Sequence, residues 1–406
     1  MKGKEKKENA FMKARKSSGP IEPSHTASEI ASQPKLWQDT YDSILAKKEQ
    51  ISSFLDKIYK IRNLQIILTG AGTSAFIGEI LQHPFYKNTG IPTKAISTTD
   101  IVTHPRDFFQ QSTSTLLVSF ARSGDSPESL ATFDLANKLF DEVYHLVITC
   151  NTEGKLAEMA MQSKQSFVFF LPDETNDKAL AMTSSFTSMT LAGLLISDIT
   201  NIERNRENVS ALILYGKYIL DNYAEKLSEI ADLKFKRVVF LGAGPLKGTA
   251  QESHLKVIEL TDGHVFAHYD SFLGFRHGPK AVIDAFTLLV YLFSSDPYVY
   301  SYEVDLVKSI NSTEDFLYSI GIGQSLTGFK DLELDLTIDP FIATNVKIPD
   351  EYFSICSVLP AQIIGFYKSI EVGLTPDSPS KTGGIHRVVQ GVTIYPFKTP
   401  PIASGR

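Results

Sequence analysis

Short, wholly apolar runs alternate along this chain with longer segments whose apolar residues recur every three or four positions. Runs of four to eight such residues are typical of buried strands, and the longer periodic segments are typical of helices. The predicted strands are 65–69, 93–97, 115–120, 144–149 and 166–171, then 237–241, 264–267, 286–293, 316–320 and 334–338. Because apolar strands separated by helices form parallel sheets covered on both faces, the pattern predicts an α/β fold.

The two groups of five strands are copies of one another. Gly70-Ala-Gly72 follows the first strand as Gly242-Ala-Gly244 follows the sixth, at an offset of 172 positions. Thr115-Leu-Leu-Val118 and Thr287-Leu-Leu-Val290 repeat at the same offset. The sequence therefore predicts an internal duplication that gives two tandem, doubly wound parallel-sheet domains, with ligands at the carboxyl ends of the strands.

Polar segments indicate where these domains begin and end. Residues 1–25 are charged and then rich in Ser, Gly and Pro, which predicts a mobile tail rather than a basic nucleic-acid-binding arm. The Thr26-Ala-Ser-Glu29 pattern of a capping box predicts a helix start, and 36–61 is predicted to be helical. A polar stretch near 200–212 divides the chain into predicted domains at 26–205 and 206–406; the second ends in a helix at 351–374 and a tail from Thr375.

Composition narrows the class of protein. The 406 residues are 43% hydrophobic and 21% charged with a net charge of -6, which indicates a soluble globular protein and gives no reason to expect nucleic acid as a partner. Two cysteines imply no disulfide framework and fit a reducing compartment. The apolar runs are too short to span a membrane and no secretory signal is seen, so a cytoplasmic protein is expected.

Hydroxyl-rich loops follow two strands of the first copy. Gly72, Thr73 and Ser74 open a helix after the first strand, while Arg122, Ser123 and Ser126 follow the third strand, ahead of Pro127. The N–H groups and partial positive charge of a helix N-terminus bind phosphate, although Ser and Thr also cap helices that bind nothing. Two such loops at adjacent strand ends favour a phosphate-binding site.

The second copy lacks the Thr-Ser pair after its first strand, has a different loop after its third strand, and carries candidate acid–base groups instead. Glu252, Lys256 and Glu259 recur on one face of a predicted helix, and His277 follows in the segment Arg276-His277-Gly278-Pro279. A carboxylate and an imidazole that converge on one substrate can transfer protons, with Lys256 favouring the ionised carboxylate. The alternative is a salt-bridged surface helix and an ordinary turn.

Neither a metal nor a dinucleotide cofactor is expected. His264 and His268 have the spacing of zinc ligands on a helix, but their segment has the pattern of a strand and lacks the glutamate of such motifs. The glycines at 70 and 72 lack a third glycine in the register of a dinucleotide-binding motif.

Several segments resemble a known family, the sugar isomerase (SIS) domain in tandem. They include LTGAGTSAF at 68–76, LVSFARSGDSPESLAT at 117–132, GFRHGPK at 274–280 and HRVVQGV at 386–392. The resemblance extends over about residues 26–397 and includes the isomerase half of glucosamine-6-phosphate synthase. It is most specific for the bacterial D-galactosamine-6-phosphate deaminase/isomerase subgroup, also known as tagatose-6-phosphate ketose/aldose isomerases.

The resemblance implies a role for each candidate residue. Thr73, Ser74, Ser123 and Ser126 would bind phosphate beside Gly72 and Arg122, Glu259 would be the base, His277 would open the sugar ring, and Glu252 and Lys256 would line the pocket. The synthase has Gln in place of Arg122. Its C-terminal catalytic Lys has no clear counterpart: Gln390 is near that place, with Lys381 and Arg387 earlier. Relatives supply the histidine from a neighbouring chain, which implies a homo-oligomer, a dimer or larger.

The activity that the resemblance implies is isomerising deamination of a hexosamine 6-phosphate in amino-sugar catabolism. D-galactosamine 6-phosphate would give D-tagatose 6-phosphate and ammonia without a cofactor, and no glutaminase domain is expected before the first copy. Two alternatives use the same site: aldose–ketose isomerisation of a sugar phosphate and deglycation of a sugar-amine conjugate. A non-enzymatic sugar-phosphate sensor is a further alternative, but a sensor needs no base such as Glu259.

Overall fold

The first half of the chain forms a five-stranded parallel sheet flanked by helices. The computed structural model describes residues 24–109, 113–326 and 332–398. The strands of the first half are β1 (Leu64–Thr69), β2 (Thr93–Ala95), β3 (Ser114–Ala121), β4 (Val143–Thr149) and β5 (Ser166–Phe170). Its helices are α1 (His25–Ala46), α2 (Lys48–Ile58), α3 (Thr73–Thr89), α4 (Thr98–Thr103), α5 (Pro105–Phe108), α6 (Pro127–Leu139), α7 (Lys155–Met161) and α8 (Ser184–Ser197).

The second half of the chain forms another five-stranded parallel sheet. Its strands are β6 (Arg237–Leu241), β7 (Phe266–Asp270), β8 (Thr287–Leu292), β9 (Tyr318–Ile322) and β10 (Leu336–Ile338). Its helices are α9 (Arg206–Ala231), α10 (Pro245–Leu260), α11 (Phe272–Phe275), α12 (Pro297–Thr313), α13 (Asp350–Cys356) and α14 (Leu359–Glu371). The proposed domain boundary between residues 205 and 206 falls directly before α9.

The two sheets have the same topology and the same register, which confirms the predicted fold class. Their strand orders are β2-β1-β3-β4-β5 and β7-β6-β8-β9-β10, and all pairs are parallel. Gln65 pairs with Thr115 in the first sheet, and Arg237 pairs with Thr287, both 172 positions later, in the second. The direction of the strand order reverses between β1 and β3 and between β6 and β8. Ligands of such sheets bind at the carboxyl ends of the strands at this point.

Alternate residues of each strand pack into different hydrophobic clusters, which is why the strands are apolar throughout. Ile66 and Leu68 belong to the main core, while Ile67 packs on the other side with Leu117 and with residues of α4 to α6. The main core also contains Val238 and Val290 of the second sheet. The two copies therefore share one continuous core.

Helices α3 and α10 pack against each other and bring the two copies together near their carboxyl-end loops. Gly248 of α10 lies so close to Ile80 of α3 that a Cβ atom on Gly248 would come within 2.6 Å of the Ile80 side chain. A larger residue would force the two helices apart. This contact places the far end of α10, which carries Glu259, beside the loop that opens α3.

The N-terminal helix starts earlier than predicted. Its N-cap is Ser24, whose hydroxyl accepts from the Ala27 N–H at 3.5 Å, so the predicted capping box was wrong. Thr26 instead donates its hydroxyl to Asp377 at 2.7 Å, and Glu29 accepts from the backbone of Lys178 at 2.5 Å. Thr26 and Glu29 therefore bond to residues far along the chain and not to each other's backbone, as a capping box would require. The predicted tail at 1–25 lies, up to residue 23, outside the described residues.

Other predicted boundaries need small corrections. The helix predicted at 36–61 is two helices that meet at Lys47, and the helix predicted at 351–374 is divided between α13 and α14. Strands β7 and β9 begin two residues later than predicted. The stretch Asp350–Glu371 is long and apolar enough to cross a membrane, but an 18-residue apolar window within it is 94% buried inside the fold, as in a core helix.

Candidate active site

A cavity of about 290 Å³ lies at the carboxyl ends of β1 and β3, where both copies contribute to its wall. The first copy provides the loop and helix start at Ala71–Ser74, the loop at Phe120–Ser126, Ser129, Leu180 and Met182. The second copy provides Glu259 and the segment from Gly384 to Gln390. Gly72, Thr73, Ser74, Arg122, Ser123, Ser126 and Glu259 thus lie together, as the sequence predicts.

Two helix N-termini face this cavity. Gly72 is the N-cap of α3 with a φ of 55°, a left-handed conformation that favours glycine. Ser126 is the N-cap of α6, but its side chain makes no capping hydrogen bond. Its hydroxyl is therefore not used for capping, which was the alternative explanation of this residue. The positive ends of both helices and nearby hydroxyls make this end of the cavity suited to an anion.

Arg122, in the loop after β3, connects this loop to two other segments of the chain beside the cavity. Its guanidinium donates to the carbonyl oxygens of Ala179 at 3.3 Å and Leu180 at 2.9 Å, and also to that of Arg387. Burial lowers the pKa of Arg122, while Asp177 and Glu259 oppose the shift. Arg122 therefore holds three segments around the cavity in addition to placing a positive charge in its wall.

Glu259 is fixed by a buried network on one face of α10. The Lys256 ammonium lies 2.5 Å from the Glu259 carboxylate and 3.3 Å from that of Glu252. It also donates to the Thr73 hydroxyl at 3.2 Å, and that hydroxyl donates to Glu252 at 3.3 Å. The side chains of Glu252 and Lys256 are 0% exposed, whereas that of Glu259 is 24% exposed. Of these three side chains, only Glu259 can therefore meet a ligand.

This geometry corrects the predicted roles of Glu252 and Lys256. Both lie beneath the cavity wall and do not line it, because the helix face that they share with Glu259 turns inward against Thr73. Burial raises the pKa of Glu252 to about 8, with Lys256 opposing and Glu259 reinforcing the shift. Burial by itself lowers the pKa of Lys256, but the two carboxylates outweigh it and the pKa is raised. The pair positions Glu259.

His277 lies outside this cavity in the single chain. It is exposed in the turn between α11 and the 3₁₀ segment Pro279–Val282. Its backbone N–H donates to the carbonyl oxygen of Gly274 at 2.9 Å. The neighbouring Arg276 pairs with Asp305 at 2.7 Å. The structure of one chain does not bring His277 and Glu259 together, so the role assigned to His277 stays a prediction that depends on a second subunit.

The C-terminal segment was missed as a whole by pattern reasoning. The segment 384–390 forms part of the cavity wall, to which it contributes Ile385, His386, Arg387, Val389 and Gln390. The Arg387 guanidinium donates to the Asp177 carbonyl at 2.8 Å and to the Asn176 side chain at 2.7 Å. The HRVVQGV motif was the available signal, but it was used only to look for a counterpart of the synthase lysine, at Gln390 with Lys381 and Arg387 earlier.

The corresponding loop of the second copy is filled by the protein's own carboxylates. Asp350 accepts from the hydroxyls of Ser294 and Ser295 and, at 2.9 Å, from the N–H of Ser295. Glu303 accepts from the N–H of Ser294 at 2.9 Å. These donors would otherwise be available to an anion at the start of α12. The hydroxyls and N–H groups of this loop are therefore already used, which agrees with the prediction that the anion site lies in the first copy.

The two histidines with the spacing of zinc ligands do not lie on a helix. His268 lies in strand β7, as its pattern predicts, and the ring of His264 meets the Thr261 carbonyl at 2.8 Å. In the part of the chain that the structure describes, no group of three or more His, Cys, Asp or Glu side chains is placed to hold a metal ion. Cys150 and Cys356 are both free and buried.

Known proteins resemble this chain over nearly all of its length, although no protein-family model matches it. D-galactosamine-6-phosphate deaminase AgaS of Shewanella sp. (strain ANA-3) is 41% identical over 92% of each chain. The crystal structure of tagatose-6-phosphate ketose/aldose isomerase from Escherichia coli is 36% identical, has a TM-score of 0.83, and is matched over 93% of this chain and 97% of its own.

A more distant solved structure shares the fold. The C-terminal domain of glucosamine-fructose-6-phosphate aminotransferase from Francisella tularensis has a TM-score of 0.73 at 18% identity, over 89% of this chain and 100% of its own. This chain therefore shares its fold with that domain. The identity of about 40% to the AgaS proteins extends across both copies and is a stronger sign of family membership than a shared fold. The chain belongs to the AgaS family of tandem sugar isomerase (SIS) domain proteins.

Proposed function

We propose that this enzyme converts D-galactosamine 6-phosphate and water to D-tagatose 6-phosphate and ammonia in amino-sugar catabolism. The observation that carries the proposal is the position of Glu259, whose partly exposed carboxylate shares one cavity with two helix N-termini. A phosphate bound at those N-termini would fix one end of a sugar chain. The other end would then lie within the same small cavity as the base.

The proposed phosphate ligands are Thr73, Ser74, Ser123 and Ser126, with the backbone of Gly72 and the charge of Arg122 beside them. All of them line the cavity. Charge-assisted hydrogen bonds from hydroxyls and N–H groups to a phosphate are stronger than neutral ones. Anchoring through the phosphate predicts that galactosamine without its phosphate is a very poor substrate.

The chemistry proposed for Glu259 is a proton transfer between neighbouring carbons. After ring opening, the carboxylate removes the proton from carbon 2, and the electrons of that C–H bond form a C1–C2 double bond as the aldehyde oxygen is protonated. Return of a proton to carbon 1 leaves an imine at carbon 2. Water adds to the imine carbon and ammonia leaves, which gives the ketose. A positioned general base contributes roughly 10²–10⁴-fold.

The remaining predictions belong to the same proposal. The resemblance assigns ring opening to His277 of a partner subunit, which would require a homo-oligomer, a dimer or larger; His386 of the same chain is the alternative for that step. The protein would act in the cytoplasm, where phosphorylated sugars are retained. Light scattering that found a fully active monomer at assay concentration would remove any need for a partner's His277.

A panel of sugar phosphates tests the proposed function. Purified enzyme is incubated with galactosamine 6-phosphate, glucosamine 6-phosphate, unphosphorylated galactosamine and tagatose 6-phosphate, and both ammonia and aldose–ketose interconversion are measured. Release of ammonia with galactosamine 6-phosphate, well above that with its epimer, is the expected result. Interconversion of tagatose 6-phosphate with its aldose and no ammonia from either amino sugar would replace the proposal with simple isomerisation, the activity after which the E. coli protein of known structure is named.

A further inference from the structure

His386 is placed in the wall of the candidate active site by the C-terminal segment. Among the residues that the structure describes, it is the one histidine that lines the cavity containing Glu259. The histidine predicted for ring opening, His277, is exposed elsewhere in the same chain. A single chain therefore already holds a carboxylate and an imidazole at one site, without help from a partner.

The backbone that carries His386 is anchored on both sides of the site. Next to it, Arg387 donates two hydrogen bonds to the loop of the first copy, at Asn176 and Asp177, and accepts one at its carbonyl from Arg122. Before it, the N–H of Lys381 donates to Asp262 at 3.4 Å, in the turn that directly follows α10. The segment is thus attached to the loop of one copy and to the helix of Glu259 in the other.

The imidazole itself remains accessible to solvent and to a ligand. His386 is exposed. Its ring lies next to Gly383, since a Cβ atom built on Gly383 would be 3.7 Å from it, an ordinary van der Waals contact. The cavity of about 290 Å³ lies near the lower end of the range of about 300–1,000 Å³ usual for small-molecule sites, so a single sugar phosphate would fill it. A sugar bound there would lie against both Glu259 and His386.

We infer that His386 transfers the protons of sugar-ring opening within one chain. In this step the bond between carbon 1 and the ring oxygen breaks, and its electron pair goes to the ring oxygen, which takes a proton from the imidazole. The hydroxyl on carbon 1 loses its proton as the aldehyde forms, and that proton restores the imidazole. The inference rests on the proposed function, because it assigns a group to the step that precedes the chemistry of Glu259.

Chemical rescue separates a proton-transfer role from a merely structural one. His386→Ala should lower kcat for galactosamine 6-phosphate by roughly 10²-fold, and added imidazole should restore much of the loss because the site is open to solvent. His104→Ala, at another exposed histidine, is the matched control and should behave as the wild type. Full activity of His386→Ala, or a loss that imidazole does not restore at unchanged Tm, would overturn the inference.

Mixing experiments test whether the group acts within one chain. Glu259→Gln and His386→Ala protein, unfolded together and refolded, should recover no activity, because each site would take both groups from the same subunit. Recovery would overturn the assignment to a single chain. The wild-type assay separates this inference from the proposed function: absence of ammonia release by the wild type refutes the function, whereas the variants are compared on whichever aldose phosphate the wild type converts.

Discussion

Replacing Lys256 with methionine should destabilise the protein and disable the site at once. Lys256 is fully buried between the carboxylates of Glu252 and Glu259, and its removal leaves Glu252 as a buried carboxylate without a cation. Removing one partner of a buried ion pair costs about 3–5 kcal/mol. Activity should also fall, because the 2.5 Å contact that fixes Glu259 is lost.

The loss of stability should depend on pH in a defined direction. Burial raises the pKa of Glu252 to about 8, so this carboxyl becomes protonated as the pH falls through that value. Because a protonated carboxyl needs no cation, Lys256→Met should cost less free energy of unfolding at pH 6 than at pH 9. Urea denaturation at both values, followed by intrinsic fluorescence, measures the difference.

Two further variants make the Lys256 experiment specific. Lys226→Met removes an exposed lysine that pairs with Glu229 at the same i, i+3 spacing, and should cost less than about 1 kcal/mol. Adding Glu252→Gln to Lys256→Met removes the unpaired buried charge and should restore most of the stability but not the activity. A Lys256→Met protein as stable and as active as the wild type would refute this account of the network.

Two other predictions concern the phosphate loops and the second copy. Ser74→Ala and Ser123→Ala should each weaken binding of the sugar phosphate by about 1–3 kcal/mol, measured by calorimetry with tagatose 6-phosphate, and unchanged affinity would contradict the proposed cradle. Burial raises the pKa of Glu303 from 4.5 to about 8, so the folded state holds a proton that the unfolded state releases, and stability falls as pH rises between these values. Glu303→Gln should therefore raise Tm relative to the wild type at pH 9 but not at pH 4.5, and an equal Tm difference at both pH values would contradict this reasoning.

Much of the fold could be predicted because its signals are local and repeated. Each strand is a short apolar run, and matched pairs such as Thr115 and Thr287 identify the duplication, so the ten strands follow from pattern alone. Boundaries set by tertiary partners could not be predicted. Thr26 and Glu29 have the pattern of a capping box, but their partners, Asp377 and Lys178, lie far along the chain.

Most residues of the candidate site could be predicted from the sequence, but which of them are buried and which are exposed to a ligand could not. Helical spacing correctly puts Glu252, Lys256 and Glu259 on one face, yet it cannot say that α3 covers the first two and leaves the third at the cavity. The placement of residues 384–390 in the wall of the site has no signal in helix or strand periodicity either, because it depends on contacts of Arg387 with residues some 210 positions earlier in the chain. His386 was overlooked for that reason.

Exchange of the carbon 2 hydrogen of galactosamine 6-phosphate with deuterium from solvent tests the central claim most directly. Glu259→Gln keeps the size of the side chain and an acceptor for Lys256 but removes the base. Exchange, followed by NMR in heavy water, should slow by at least about 10²-fold while tagatose 6-phosphate still binds. Exchange at the wild-type rate in the folded Glu259→Gln protein would contradict the assignment of Glu259 as the base.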